Sequence, residues 1–125
     1  MANPGAASQV TTNIVPIVGN VNKVEVLSIN LGTIAAVNTV TAPEITFSGL
    51  GSGILAGDVI LSVSKPTAQA GLGIAGWRND AAVNDKFYIT YVNPTAGNIT
   101  PTASETYLIT VGRFTSGSTP LAAFV

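Results

Sequence analysis

The sequence predicts an all-β fold: a single β-sandwich, jelly-roll or immunoglobulin-like, of about seven to eight strands, with an extended N-terminal arm and a C-terminal tail. Three observations predict it. Short apolar segments alternate with period two, which marks strands with one face buried. Turn residues punctuate the chain at intervals of about ten residues, the rhythm of sandwiches and jelly rolls. No long segment carries the 3.6-residue period of an amphipathic helix.

The elements follow in order. Residues 1–13, MANPGAASQVTTN, are small and polar and bring no core of their own. Ile14, Val15, Ile17 and Val18 form a short apolar run around Pro16. Proline removes a ladder donor, so this run is at best an edge strand. Gly19-Asn20 is turn chemistry, and the arm is placed at 1–22, the sandwich at 23–114 and the tail at 115–125. KVEVLSIN (23–30) is β-branched and alternates near its start; TIAAVNTVT (33–41) is a less regular strand candidate. EITFSGL (44–50) sets Ile45 and Phe47 on one face. DVILSVS (58–64) sets Val59, Leu61 and Val63 on one face, with Asp58, Ile60, Ser62 and Ser64 on the other. GIAGWRN (73–79) is a weaker strand. KFYITYVN (86–93) groups Phe87, Ile89 and Tyr91, and TYLITVGRF (106–114) groups Tyr107, Ile109 and Val111.

Between them stand Gly49 to Gly53, Lys65-Pro66, Asn93-Pro94, Ala96-Gly97-Asn98 and Thr100-Pro101, all turn chemistry. Ser52 to Gly57 has room for one helical turn. The tail, TSGSTPLAAFV (115–125), reads as a linker capped by Leu121, Phe124 and Val125.

Composition bounds the function. At 125 residues the chain is one domain. Only 9% of it is charged, against about 25% in a typical soluble domain. Surface charge keeps lone domains apart, so part of this surface is expected to be covered. The five basic residues, Lys23, Lys65, Arg78, Lys86 and Arg113, are scattered, which argues against nucleic acid as a partner. Cysteine and histidine are absent, which excludes disulfides, Cys/His zinc sites and His-based triads. The start, MANPGAASQV, lacks the charge and apolar block of a secretory signal. No apolar run reaches the ~18 residues of a membrane helix. Synthesis in the cytoplasm, with no membrane partner, is the expectation.

Gly71 to Gly76 reads GLGIAG, letter for letter the G-x-G-x-x-G pattern of dinucleotide sites. Such a site needs a helix N-terminus after the last glycine. Here WRNDAAVNDK leads straight to the next strand, too short for a packed helix and its connections. No acid stands about 20 residues on, where the ribose would need it. The glycines read instead as spacing devices in a strand that runs close to a neighbour, or as a bulge. Trp77, directly after them, reads as core or interface filling.

Other chemistry is weakly marked. Glu25, Glu44, Asp58, Asp80, Asp85 and Glu105 form no paired-acid motif. Asp80 and Asp85 with Asn79 and Asn84 lack calcium-loop spacing and read as a polar hairpin tip. Without histidine or a paired lysine no serine or threonine is marked as a nucleophile. Trp77, Tyr88, Tyr91 and Tyr107 are candidates for a sugar platform, with Tyr88 opposite its apolar neighbours on the strand. No catalytic residue, metal ligand or cofactor is expected.

The stretch from 57 to 113 carries G-D-V with alternating apolar residues and S-K-P, then A-G-L-G-I with a following Arg. I-T-Y-V-N-P-T-A-G and a closing S-E-T-Y-x-x-x-V-x-R complete it. It resembles a small β module found among structural proteins of tailed bacteriophages. The resemblance implies a β-sandwich without catalysis, attached to a capsid or tail; residues 1–56 and the last dozen are not covered by it. The expectation is a capsid decoration (cement) protein on the exterior of the virion, bound to the major capsid protein. Three-fold positions in capsid lattices make a homotrimer the expected self-association. Ile14, Val15, Ile17 and Val18, with Leu121, Phe124 and Val125, are the expected interface contacts. The alternative is a tail, neck or fibre component or a glycan-binding adhesin module.

Overall fold

The computed structural model describes residues 21–114, with side chains from residue 23 onward. Six strands make up this part: β1 (Val21–Asn30), β2 (Glu44–Ser48), β3 (Val59–Ser64), β4 (Gly73–Asn79), β5 (Lys86–Val92) and β6 (Thr106–Phe114). They form two three-stranded antiparallel sheets, ordered β1-β6-β3 and β2-β5-β4. No helix occurs among the described residues. The arrangement is sandwich-like, with both sheets turning their apolar faces into one core.

The central strands are the ones whose alternation is cleanest. β5 buries Phe87, Ile89 and Tyr91, and β6 buries Tyr107, Ile109 and Val111, the groupings that period two predicts. Each such side chain contributes about 1.5–3 kcal/mol by leaving water. Ile29 from β1, Phe47 from β2 and Ile60 from β3 complete the layers, and Phe47 stacks on Phe87 at 5.4 Å between ring centroids.

Six of the seven segments expected as strands within the described residues form strands, and the expected edge strand around Ile14 to Val18 lies outside them. Residues 33–41 are the exception. The connection from β1 to β2 buries Leu31, Ile34 and Val37, and that spacing of three cannot be met by a strand, whose faces alternate every second residue. Val37 makes only an isolated bridge with Ile99, at 2.8 and 3.1 Å. Asn38 Oδ1 then accepts from the Val40 and Thr41 amides and turns the chain toward β2. The segment works as a plug rather than a strand. β1 itself begins at Val21, two residues inside the predicted arm. Ser52 to Gly57 forms no helical turn; it is an irregular loop held by side chains.

The faces of β3 also differ from expectation. Ile60 pairs with Val111 and Ser62 with Thr110, so Leu61 is an extra residue, a bulge. The bulge resets the alternation: Ile60 and Val63 face inward, whereas Val59 and Leu61 face out. A second bulge lies in β4, between Ile74 and Gly76.

Polar anchors hold the loops. Asp58, buried, receives Arg113 Nε at 2.9 Å and Nη2 at 2.8 Å, and the Leu55 amide at 2.8 Å. Buried Asn93 donates to the Val37 and Gly97 carbonyls. Asp85, at φ 57°, accepts from the Gly51 and Ser52 amides and the Ser52 hydroxyl. Val21 pairs with Phe114, so the chain enters and leaves the described body at one corner of the β1-β6-β3 sheet.

Candidate functional site

The two outer faces of the sandwich differ in kind, and the difference follows from alternation. Where Phe87, Ile89 and Tyr91 point in, Lys86, Tyr88 and Thr90 point out. β2 adds Glu44, Thr46 and Ser48, and β4 adds Arg78. This face is wired with charge. Arg78 meets Glu44 in a two-point pair, Nε–Oε2 2.7 Å and Nη2–Oε1 2.9 Å. Its guanidinium lies 3.8 Å over the Tyr88 ring, and Tyr88 Oη donates to Asp80 Oδ2 at 2.6 Å. The Arg78 hydrogen bond lowers the Glu44 pKa. The Tyr88 hydroxyl and the Ala82 and Val83 amides hold Asp80 down to about 2.

The outer face of β1-β6-β3 has no charged residue. β1 presents Val24, Val26 and Ser28; β6 presents Leu108, Thr110, Gly112 and Phe114; β3 presents Val59, Ser62 and Ser64 in register, plus Leu61 from the bulge. The six large apolar side chains are 44–60% exposed. Leu61 and Phe114 close over Gly112, where an added Cβ would meet both at 3.4–3.5 Å. The face spans roughly 300 Å², from three strands at about 4.8 Å spacing and six residues at about 3.3 Å rise. Apolar patches of about 300–600 Å² are commonly functional.

Most of the other charged residues are engaged with partners. Lys23 pairs with Glu25 at 3.3 Å, and Lys65 with Glu105 at 2.9 Å. The Thr67 hydroxyl also donates to Glu105, and that bond with the Lys65 ammonium lowers the Glu105 pKa. Asp80 and Asp85, expected together at a hairpin tip, point apart: Asp80 caps its own turn through the Ala82 and Val83 amides, whereas Asp85 reaches back to residues 51 and 52. Asn79 and Asn84 likewise anchor the 54–58 loop, through Leu55, Ala56 and Asp58. Among the described residues no three acids come together.

The aromatic candidates separate. Tyr91 and Tyr107 are in the core, and the Tyr88 ring is capped by Arg78. Trp77 sits at the edge of its sheet and donates its indole N–H to the Ile60 carbonyl at 3.0 Å, bridging β4 to β3. Of the three glycines, Gly71 (φ +83°) passes against Thr95, and Gly73 lies close to Val92. Gly76 has open space above it, so the close-neighbour reading fails there and the bulge reading holds. A cleft of about 380 Å³ beside the β3–β4 turn is lined by Lys65, Gln69, Leu72 and Ile74; its lysine is already paired with Glu105.

The interface contacts expected at Ile14, Val15, Ile17, Val18, Leu121, Phe124 and Val125 lie outside the described residues. Sequence reasoning missed the uncharged face itself. Its signal was present in β1 and β6, where Val24, Val26 and Leu108 are apolar on the side opposite the buried set; the Leu61 contribution was hidden by the bulge. Among the described residues no helix is long and apolar enough to cross a membrane. Comparison with protein-family models, curated proteins and solved structures finds no match.

Proposed function

We propose that the chain is a non-enzymatic structural protein of a tailed-phage virion, a capsid decoration (cement) protein whose β1-β6-β3 face lies on the major capsid protein. The observation that carries this reading is the contrast between the two sheet faces: one crossed by the Arg78–Glu44 pair, the other uncharged and apolar. A body that lies flat on a shell needs one dry side and one wet side. Binding that occurs only on the assembled lattice stabilises that lattice by mass action. The resemblance of residues 57–113 to phage virion modules supports the same reading. The body we propose is a two-layer sandwich of the jelly-roll or immunoglobulin-like kind, of which the described residues supply six strands.

The glycan-binding alternative draws less support, because Arg78 covers the Tyr88 ring and Trp77 is engaged with Ile60. The test is co-sedimentation with shells that lack the protein. Val26→Lys and Leu108→Lys, on the apolar face, are expected to fold and to lose shell binding; Thr46→Lys, on the charged face, is expected to retain it. Folded Val26→Lys and Leu108→Lys proteins that still bind would overturn the assignment of the face.

A further inference from the structure

We infer that β1 is a docking edge for a second copy of this chain: two β1 strands pair antiparallel about a two-fold axis near Val24 and join the two β1-β6-β3 sheets into one.

The inference starts from the treatment of edges. An unpaired strand edge is a template for another strand, and proteins blunt such edges with short strands, bulges, prolines or covering groups. Among the described residues the two sheets have four edges, and three of them are blunted. β2 has five residues and follows Pro43. β3 is bulged at Leu61, and its Ile60 carbonyl is taken by the Trp77 indole. β4 is bulged between Ile74 and Gly76, and its Asn79 side chain is tied to Leu55 and Asp58. β1 is different. It has ten residues, contains no proline, and runs in unbroken register from Lys23 to Asn30 after one irregularity at its start. Among the described residues no strand pairs with its outer side.

Charge selects the occupant and the register. β1 carries two charges of opposite sign, Lys23 and Glu25, two residues apart and exposed. In an antiparallel pair of identical strands, a two-fold at Lys23 sets lysine opposite lysine. One at Glu25 sets glutamate opposite glutamate. A two-fold at Val24 sets Lys23 of each copy opposite Glu25 of the other, twice. Opposite charges across strands stabilise, and like charges destabilise. This register also sets Val24 beside Val24 on the outer side, so the uncharged faces of both copies become continuous. Such self-complementarity is what an isologous dimer requires. The consequence for shell binding rests on the decoration reading. One face of roughly 300 Å² is well short of the about 800 Å² per partner of a standard interface, and two faces side by side come much closer.

The experiment is light scattering and sedimentation of the full-length chain over a concentration series at low salt. The expected mass is twice 12.6 kDa. Glu25→Lys places lysines opposite lysines and is expected to weaken the dimer about tenfold. Lys23→Glu combined with Glu25→Lys exchanges the charges and is expected to restore it; circular dichroism confirms that each variant is folded. A monomer at every concentration, a trimer, or a dimer indifferent to both variants would each overturn the inference. So would a monomer that dimerises only when residues 1–20 are removed, because the chain's own arm would then hold the edge. Shell co-sedimentation separates the two readings. A monomer that binds shells refutes the pairing alone, and a dimer that ignores shells refutes the decoration reading alone.

Discussion

Tyr91 and Tyr107 meet hydroxyl to hydroxyl at 3.0 Å inside the core, one from each sheet. Both rings are fully buried, and burial, the largest cause, pushes both phenol pKa values up. Neither hydroxyl ionises at working pH, so the pair is a neutral bolt between the layers. Removing one partner strands the other's hydroxyl in a dry site, at about 1–3 kcal/mol. Tyr91→Phe and Tyr107→Phe are each expected to destabilise by about that amount. The double variant is expected to cost less than the sum, because no polar group is then left alone. Urea unfolding of the four proteins measures the coupling; additive losses would show that the contact is not a working hydrogen bond.

These tyrosines also show what the sequence could reveal. Their positions on β5 and β6 follow from period two, and both were placed on apolar faces by alternation alone. Their meeting did not follow, because strand spacing says nothing about which sheets oppose. The same limit explains the misassigned pieces. Ile60 and Val63 share a face only because Leu61 bulges, and a one-residue insertion inverts every orientation before it. Leu31, Ile34 and Val37 were β-like in composition, but their spacing of three suits a loop that plugs a core. The uncharged face became visible only when β1, β6 and β3 were placed side by side, since its residues come from three distant parts of the chain. The polar loops carried no motif, because Asp85 works on residues more than thirty positions away.

Asp58 and Arg113 form an ion pair with its carboxylate buried, the Asp58 side chain being 3% exposed and that of Arg113 26%. The pair also fixes the 53–58 loop, through the Leu55 amide and the Gly53 carbonyl. Asp58→Ala leaves the guanidinium without its carboxylate, with only the Gly53 carbonyl as acceptor, and the Leu55 amide without a partner. A loss of about 3 kcal/mol is expected, as for one partner removed from a buried pair. Arg113→Met, which covers the site without charge, is expected to leave the Asp58 carboxylate unpaired and to fail as well. Thermal unfolding of both variants is the measurement, and wild-type stability in either would refute the anchoring role.

The acid side of the stability profile has a stated sign. The Tyr88 hydroxyl, then the Ala82 and Val83 amides, hold Asp80 at about 2, below its ordinary 3.8. Hydrogen bonds from Ser52 and Arg113 lower Asp85 and Asp58 in the same way. A carboxylate whose pKa is depressed by folding adds stability above its unfolded value, and the gain fades as pH falls through the folded value. For Asp80 that window runs from 3.8 down to about 2. The melting temperature is therefore expected to fall as pH drops below about 4, with little change between pH 6 and 8. Carboxyl chemical shifts should place the Asp80 midpoint near 2 and move it upward in Tyr88→Phe. An unmoved midpoint in that variant would remove Tyr88 as the main cause.

Among the described glycines, Gly71 is the one whose replacement should cost most. It sits at φ +83°, and a Cβ there would lie 2.2 Å from Thr95 Cγ2. Thr95 cannot swing aside freely, because its hydroxyl is bound to Asn93 Oδ1 at 2.6 Å and to the Gly97 carbonyl at 3.0 Å. Gly71→Ala therefore meets two penalties, a left-handed backbone of about 1–3 kcal/mol for a side-chain-bearing residue and a steric clash. Thr95→Ser separates them, since serine keeps the hydroxyl and lacks the methyl. Gly71→Ala alone is expected to unfold at markedly lower urea, and Gly71→Ala with Thr95→Ser to recover part of the loss but not all. Full recovery would mean that the backbone carries no strain; no recovery would mean that the methyl contact is not the obstacle. Gly76→Ala, with open space above it, is expected to change stability by less than about 1 kcal/mol. That contrast ties Gly71 and Gly76 to their own packing rather than to a shared phosphate loop.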